Sequence, residues 1–311
     1  MSMLYLIPGI ALGLVLGAND GASIFGPLVA VGSIKRRTAV LISSLFVILG
    51  AIFGGREGIK TLNTLTTLDQ YQISIAILSA AITVILMISL KAPASVSQAV
   101  VGSLIGIGLI FGPENVRWFV LLKIILVWVF TPLLASFLAF VVYRILAVIF
   151  RHLRSIYVQD LLLRYASFIA VCYSAYSLGA NNVANVAGSF VEMGLDPFLA
   201  QLVGGVCIGF GVLIFSKRMT FVIGKSIILL DHFSSLVASI SMATNVFIFS
   251  LVGVPISATQ STVGAVIGAG MSRGERLSSR KTKVRIVLGL TLTPCVGGII
   301  SVFLYLVLRG G

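Results

Sequence analysis

Two kinds of polar cluster interrupt an otherwise apolar sequence, and each kind occurs twice. Asn19, Asp20 and Ser23 lie in the run Gly17-Ala18-Asn19-Asp20-Gly21-Ala22-Ser23, and Asn181, Asn182 and Asn185 lie in Gly179-Ala180-Asn181-Asn182-Val183-Ala184-Asn185. Glycine lets a membrane helix unwind there, so freed carbonyls could join the carboxylate and amide oxygens around a hard cation. The second kind reads Pro93-Ala94-Ser95-Val96-Ser97-Gln98 and Pro255-Ile256-Ser257-Ala258-Thr259-Gln260, each just before a glycine-spaced apolar run. Proline followed by hydroxyls marks a helix N-terminus, whose free N–H groups and positive dipole end suit an anion. Two such half-helices meeting near a bilayer midplane would cradle one anion from both sides.

The clusters are related by one offset. Asn19-Asp20 maps onto Asn181-Asn182, Ser95 onto Ser257 and Gln98 onto Gln260 at 162 residues. Gly102, Gly106 and Gly108 fall on Gly264, Gly268 and Gly270, and Asp69, Pro132 and Tyr143 fall on Asp231, Pro294 and Tyr305. Apolar helices alike by chance would share Leu and Val, not Asn, Pro, Ser and Gln at fixed spacing. The chain therefore divides into one copy over residues 1–149, a linker over 150–162 and a second copy over 163–311.

Each copy holds five apolar stretches, in the first near 3–34, 38–54, 73–90, 92–112 and 118–149. Residues 55–70 and 217–232 read equally as interfacial helices or as loops; Phe221, Ile223 and Ile227 beside Lys217 and Lys225 suit the former. An odd number of crossings makes the second copy enter the bilayer from the other side. Loop charges agree. Lys35, Arg36 and Arg37 follow the first crossing, whereas the matching loop carries Glu192 and Asp196; Arg273, Arg276, Arg280 and Lys281 occupy a loop whose first-copy counterpart holds Glu114 and Arg117. With basic loops inside, the linker with Arg151 and Arg154 is cytoplasmic and both termini are outside. The expected fold is an all-α polytopic membrane protein. It has two inverted repeats of about five segments, with broken helices or hairpins meeting at a midplane site, ten crossings in all.

Composition requires a membrane setting. Of 311 residues 58% are hydrophobic and 10% charged, a surplus that a soluble domain of this size cannot hide from water. The net charge of +13 sits in short loops between apolar runs, where it sets topology and does not suggest nucleic acid. Cys172, Cys207 and Cys295 lie in apolar segments and read as small core residues without a disulfide framework. The first apolar run lacks a basic n-region and reads as a retained helix. No nucleophile–base pair or metal-ligand spacing supports an enzyme or a bound cofactor. A channel would need a continuous pore lined by charge or carbonyls.

Gly, Ala and Ser patterns also pack membrane helices closely, and either kind of cluster alone fits that reading. A carboxylate inside a repeated intramembrane motif has a functional default, and all four clusters recur together. With those residues in view, the chain resembles the inorganic phosphate transporter family of sodium- or proton-coupled permeases, which includes sulfate permeases. The likeness rests on the Gly-Ala-Asn-Asp-type and Pro-x-Ser-x-Thr-type motifs in both halves and covers essentially the whole chain. It implies a secondary-active symporter in the cell (inner) membrane, commonly dimeric, importing a tetrahedral inorganic oxyanion with Na⁺ or H⁺. Carried over, Ser95, Ser97, Gln98, Ser257, Thr259 and Gln260 would hold the anion, with Asn19 and Asn181 beside it. Asp20, Asn19, Ser23, Asn182 and Asn185 would couple the cation, with Na⁺ at Asp20, Asn181 and Asn182.

Four departures bear on stoichiometry and substrate. Asn182 replaces the family's second carboxylate, Ser23 replaces Asn, Gln98 and Gln260 stand where His is common, and the linker is short. Phosphate at neutral pH must donate a hydrogen bond and benefits from an acceptor, whereas sulfate needs donors only. The side-chain inventory leans toward sulfate and the family toward phosphate, which is kept ahead.

Overall fold

The computed structural model describes residues 3–90, 94–215, 230–274 and 280–309. They form twelve helices of four residues or more besides one short N-terminal 3-10 turn. In the first half these are α1 (Ile7–Ala30), α2 (Arg36–Gly54), α3 (Arg56–Asn63), α4 (Gln70–Ser89), α5 (Val96–Ile110) and α6 (Trp118–His152). The second half holds α7 (Ile156–Asn182), α8 (Ala184–Glu192), α9 (Pro197–Phe215), α10 (His232–Val252), α11 (Ala258–Ser272) and α12 (Arg280–Arg309). Residues 55–70 thus contain the short helix α3. The other ambiguous segment lies almost wholly outside the described residues, as do Pro93 and Arg276.

Local signals start the helices where the repeat matches. Asp69 caps α4, accepting from the Gln72 amide at 2.8 Å while the Gln72 side chain accepts from the Asp69 amide at 3.0 Å. Its repeat partner Asp231 caps α10, accepting from the Ser234 amide at 2.7 Å. Gly253, at φ 75°, closes α10 in the left-handed region that glycine enters without strain.

Among the described residues, eight helices are long and apolar enough to cross a membrane. The expectation of ten crossings is corrected on this point. α5 and α11 have 15 residues each, about 22 Å of rise, short of a hydrocarbon core of roughly 30 Å. Their entries are buried inside the molecule: Ala94 and Ser95 are 1% exposed, Val254 and Ile256 not at all. So α4–α5 and α10–α11 are hairpins with interior tips, a place where bilayer proteins tolerate non-helical backbone.

The halves interlock by exchange. α1 packs on α9 and α7 on α2, while α5 packs on α12 and α11 on α6. Glycines set these contacts. A Cβ on Gly102 would strike the carbonyl of Pro294, and one on Gly264, its repeat partner, the carbonyl of Pro132. Likewise Gly17 meets the Ile208 carbonyl and Gly179 that of Val47. The last pair is offset by 161, so α2 and α9 are slipped by one residue relative to the rest of the repeat.

Three further expectations change. α1 runs unbroken through Asn19-Asp20, and only its counterpart breaks, at Val183 between α7 and α8. The expected linker 150–162 is taken up by the ends of α6 and α7, leaving a turn over 153–155. Cys295 is exposed and not in the core, whereas Cys172 and Cys207 are half-buried, all three free. In a bilayer an apolar residue is as well housed against lipid as against protein, so apolar sequence alone does not say which.

Candidate functional site

The polar motifs converge where the interior hairpin tips reach the middle of α1 and the break between α7 and α8. Asp20 is 3% exposed, and each of its oxygens accepts one amide. Asn19 Nδ2 donates to Oδ1 at 2.8 Å, and Asn182 Nδ2 donates to Oδ2 at 2.9 Å. Position 20 and its repeat mate 182 therefore meet each other. The flanking asparagines bind the hairpin tips. Asn19 Nδ2 donates to the Ala94 carbonyl at 3.2 Å; Asn181 Nδ2 donates to the Val254 carbonyl at 3.2 Å, and its Oδ1 accepts from the Ile256 amide at 2.9 Å.

A second reciprocal pair crosses between the halves. Asn185 Nδ2 donates to Ser97 Oγ at 3.1 Å, and at the matching positions Ser23 Oγ lies 3.4 Å from Thr259 Oγ1. Ser97 donates in turn to the Ile256 carbonyl at 3.2 Å, with Asn182 Oδ1 at 3.5 Å. Asn19, Asp20, Ser97, Asn181, Asn182 and Asn185 thus form one buried network drawing on both halves, with Ser23 and Thr259 as a separate buried pair.

The six residues of the Pro-Ser motifs separate into three roles. Ser95 and Ser257 are helix caps: their hydroxyls accept the Gln98 and Gln260 amides at 3.4 and 3.2 Å. Each cap occupies one N–H of the helix start while its own O–H remains able to donate. Ser97 faces the asparagine network and Thr259 faces Ser23. Gln98 and Gln260 instead line a cavity of about 490 Å³ whose walls include Leu121, Ile125, Trp128 and Pro294. Trp128 braces it by donating its indole N–H to the Pro255 carbonyl at 3.1 Å.

Several acceptors are left without partners among the described residues: Asn19 Oδ1, Asn185 Oδ1, Gln98 Oε1 and Gln260 Oε1. Buried polar atoms are normally paired, and a site that must take up an ion or a hydrogen-bond donor is one reason for an exception. Asp20 and the unpartnered oxygens of Asn19 and Asn185 are all hard oxygen donors, the ligand type a hard cation takes. The N-terminal turns of α5 and α11 carry the anion-directed dipoles.

The sequence reading missed a narrow crevice of about 30 Å³ between α3, α4 and α8 that leads to Asn185. Asn63, Thr66, Ser189 and Glu192 supply its polar lining. Asn63 and Thr66 lie in the ambiguous 55–70 segment, and Glu192 was legible only as loop charge.

A model of the phosphate transporter family matches residues 16–301. The chain belongs to that family. A protein of Pyrococcus horikoshii that carries the name of a phosphate permease is 26% identical, over 98% of this chain and 97% of its own. The sulfate permease CysP of Bacillus subtilis is 30% identical over 83% of this chain and 74% of its own length. A solved sodium-dependent phosphate transporter shares the fold, with a TM-score of 0.87, 24% identity and 99% of each chain covered. The family is one of transporters and not of enzymes, and the eight long apolar helices make this member a multi-pass membrane protein.

Proposed function

We propose that the chain is a secondary-active symporter that imports a tetrahedral inorganic oxyanion, phosphate ahead of sulfate, with Na⁺ or H⁺ as coupling ion. The observation that carries this reading is the Asp20–Asn182 hydrogen bond of 2.9 Å, flanked by two capped helix N-termini from opposite halves. A lone carboxylate at the meeting point of two repeats gives a cation a site, and the helix starts beside it give an anion one. Occupancy of each by opposite charge favours occupancy of the other, which is the basis of symport.

Two buried acceptor oxygens without partners, Gln98 Oε1 and Gln260 Oε1, support phosphate, because its P–OH can donate to them and sulfate cannot. Sulfate is the second reading, supported by the 30% identity to a sulfate permease. We place the 153–155 turn in the cytoplasm and both termini outside the inner membrane, with the halves inverted; the basic 35–37 loop and the exchanged helix packing support this. Assembly as a homodimer belongs to the same proposal, on family resemblance.

The test is uptake of labelled phosphate and sulfate into proteoliposomes with imposed Na⁺ or pH gradients. Accumulation of phosphate above its equilibrium level, driven by one gradient, is the expected result. Accumulation of sulfate alone supports the second reading, and flux that never exceeds equilibrium indicates a channel.

A further inference from the structure

Several residues that line the crevice beside α8 have counterparts at matching positions in the other half. The crevice runs from exposed Glu192 to buried Asn185, with room for about one water. The 162-residue offset carries its lining residues Ile73, Ile77, Val100, Leu104, Asn185 and Gly188 onto Ser235, Ser239, Thr262, Val266, Ser23 and Gly26. Packing follows the same correspondence: α4 lies against α5 and α8, and α10 lies against α11 and α1. The inner ends match, since Asn185–Ser97 on one side repeats as Ser23–Thr259 on the other. The mouths match as well. Gln70 Nε2 donates to the Glu192 carbonyl at 3.2 Å, and His232, at the position matching Gln70, is joined to Ser33 Oγ at 2.8 Å.

The interiors of the two routes differ in polarity. Three apolar positions, Ile73, Ile77 and Val100, become the hydroxyl residues Ser235, Ser239 and Thr262. Ser235 is 0% exposed and Ser239 1%, and neither hydroxyl has a hydrogen-bond partner among the described residues. A dry hydroxyl without a partner costs its full desolvation, so a structure that keeps two along one passage gains from them in another conformation. Hydroxyls suit an oxyanion in transit because they donate to it without the fixed charge that would trap it. Lys35, Arg36 and Arg37 follow Ser33 closely, so the mouth at His232 is also basic, whereas the opposite mouth carries Glu192.

We infer that Ser235 and Ser239 line the oxyanion's passage between the Asp20 centre and the His232 end, closed in this conformation and hydrated when the transporter opens there. The inference rests on the proposed oxyanion symport and deepens it by naming the route.

The experiment uses Ser235→Cys and Ser239→Cys, each in full-length protein with Cys172, Cys207 and Cys295 replaced, reconstituted in proteoliposomes. An anionic methanethiosulfonate reagent should modify both positions several-fold faster with phosphate and the cation gradient that drives its uptake, Na⁺ or H⁺, than with neither. Ser103→Cys, also buried but held between α5 and α12 by its bond to the Gly297 carbonyl and not on α10 or α11, should stay inert. Ser239→Val is the companion variant: uptake rate should fall several-fold while phosphate affinity at equilibrium is unchanged. Inert cysteines at both positions, or a wild-type rate in Ser239→Val, would overturn the inference while leaving symport intact. Failure of the unmodified protein to accumulate any oxyanion would instead defeat the functional reading itself, so the two failures are distinct.

Discussion

Asp20 and Asn182 occupy the same position in the two copies of the repeat, and their side chains bond to each other, Nδ2 to Oδ2, at 2.9 Å. A residue near a pseudo-two-fold axis meets its own copy. Two carboxylates at that distance would repel unless a proton or a cation lay between them. The amide of Asn182 takes that place with a hydrogen bond, so one carboxylate stands at this pair in place of two.

That pairing makes Asp20 the group on which cation coupling depends. Asp20→Asn leaves an amide pair of nearly the same shape, so insertion and melting temperature should stay close to wild type. Gradient-driven accumulation should be lost. Uptake in Asp20→Asn that keeps its normal cation dependence would refute the assignment.

The reverse change adds charge. Asn182→Asp places a second carboxylate beside the first, and the extra negative charge calls for an extra cation. The Hill coefficient for cation activation of uptake should rise above the wild-type value. An unchanged coefficient would show that the second carboxylate takes up a proton.

The hydroxyls nearest the centre should bind the anion jointly. A hydrogen bond to a charged group is worth about 1.5–3 kcal/mol, so Ser97→Ala and Thr259→Val should each weaken binding by roughly tenfold or more. Because both would touch one anion, the double variant should be non-additive by calorimetry. Ser95→Ala and Ser257→Ala should behave differently. Loss of a cap costs about 1 kcal/mol of stability, read as a lower melting temperature with a smaller effect on affinity.

Gly102 and Gly264 test the interlocked packing. In each, an added Cβ would meet a main-chain carbonyl of the opposite half, Pro294 or Pro132. Backbone cannot rotate out of the way as a side chain can, so Gly102→Ala and Gly264→Ala should each destabilise by about 1–3 kcal/mol. Thermal unfolding in detergent measures the loss, and near-wild-type melting in both would show that the helices can move apart freely.

Topology is open to a direct check at the turn between the halves. Ser155 is exposed beside Arg154, and Ser155→Cys, with the native cysteines replaced, should react with an impermeant thiol reagent only from the cytoplasmic face. Labelling from outside intact cells would reverse the orientation.

What the sequence by itself determined is the repeat, the membrane setting and the identity of the polar clusters. Asn, Asp, Pro, Ser and Gln are costly inside a bilayer, so their recurrence at one offset stands out against apolar background. The helix starts at Ser95 and Ser257 were legible too, because capping is local. Tertiary structure alone decided that Asp20 meets Asn182, that Ser97 faces the asparagines while Gln98 faces a cavity, and that α1 stays whole where its copy breaks at Val183. Adjacent residues on a helix point about 100° apart, so which of Ser95, Ser97 and Gln98 reaches the centre depends on how α5 is rotated by its packing. That packing is set by partners such as Pro294, nearly two hundred residues away, through contacts with no local signature in either segment.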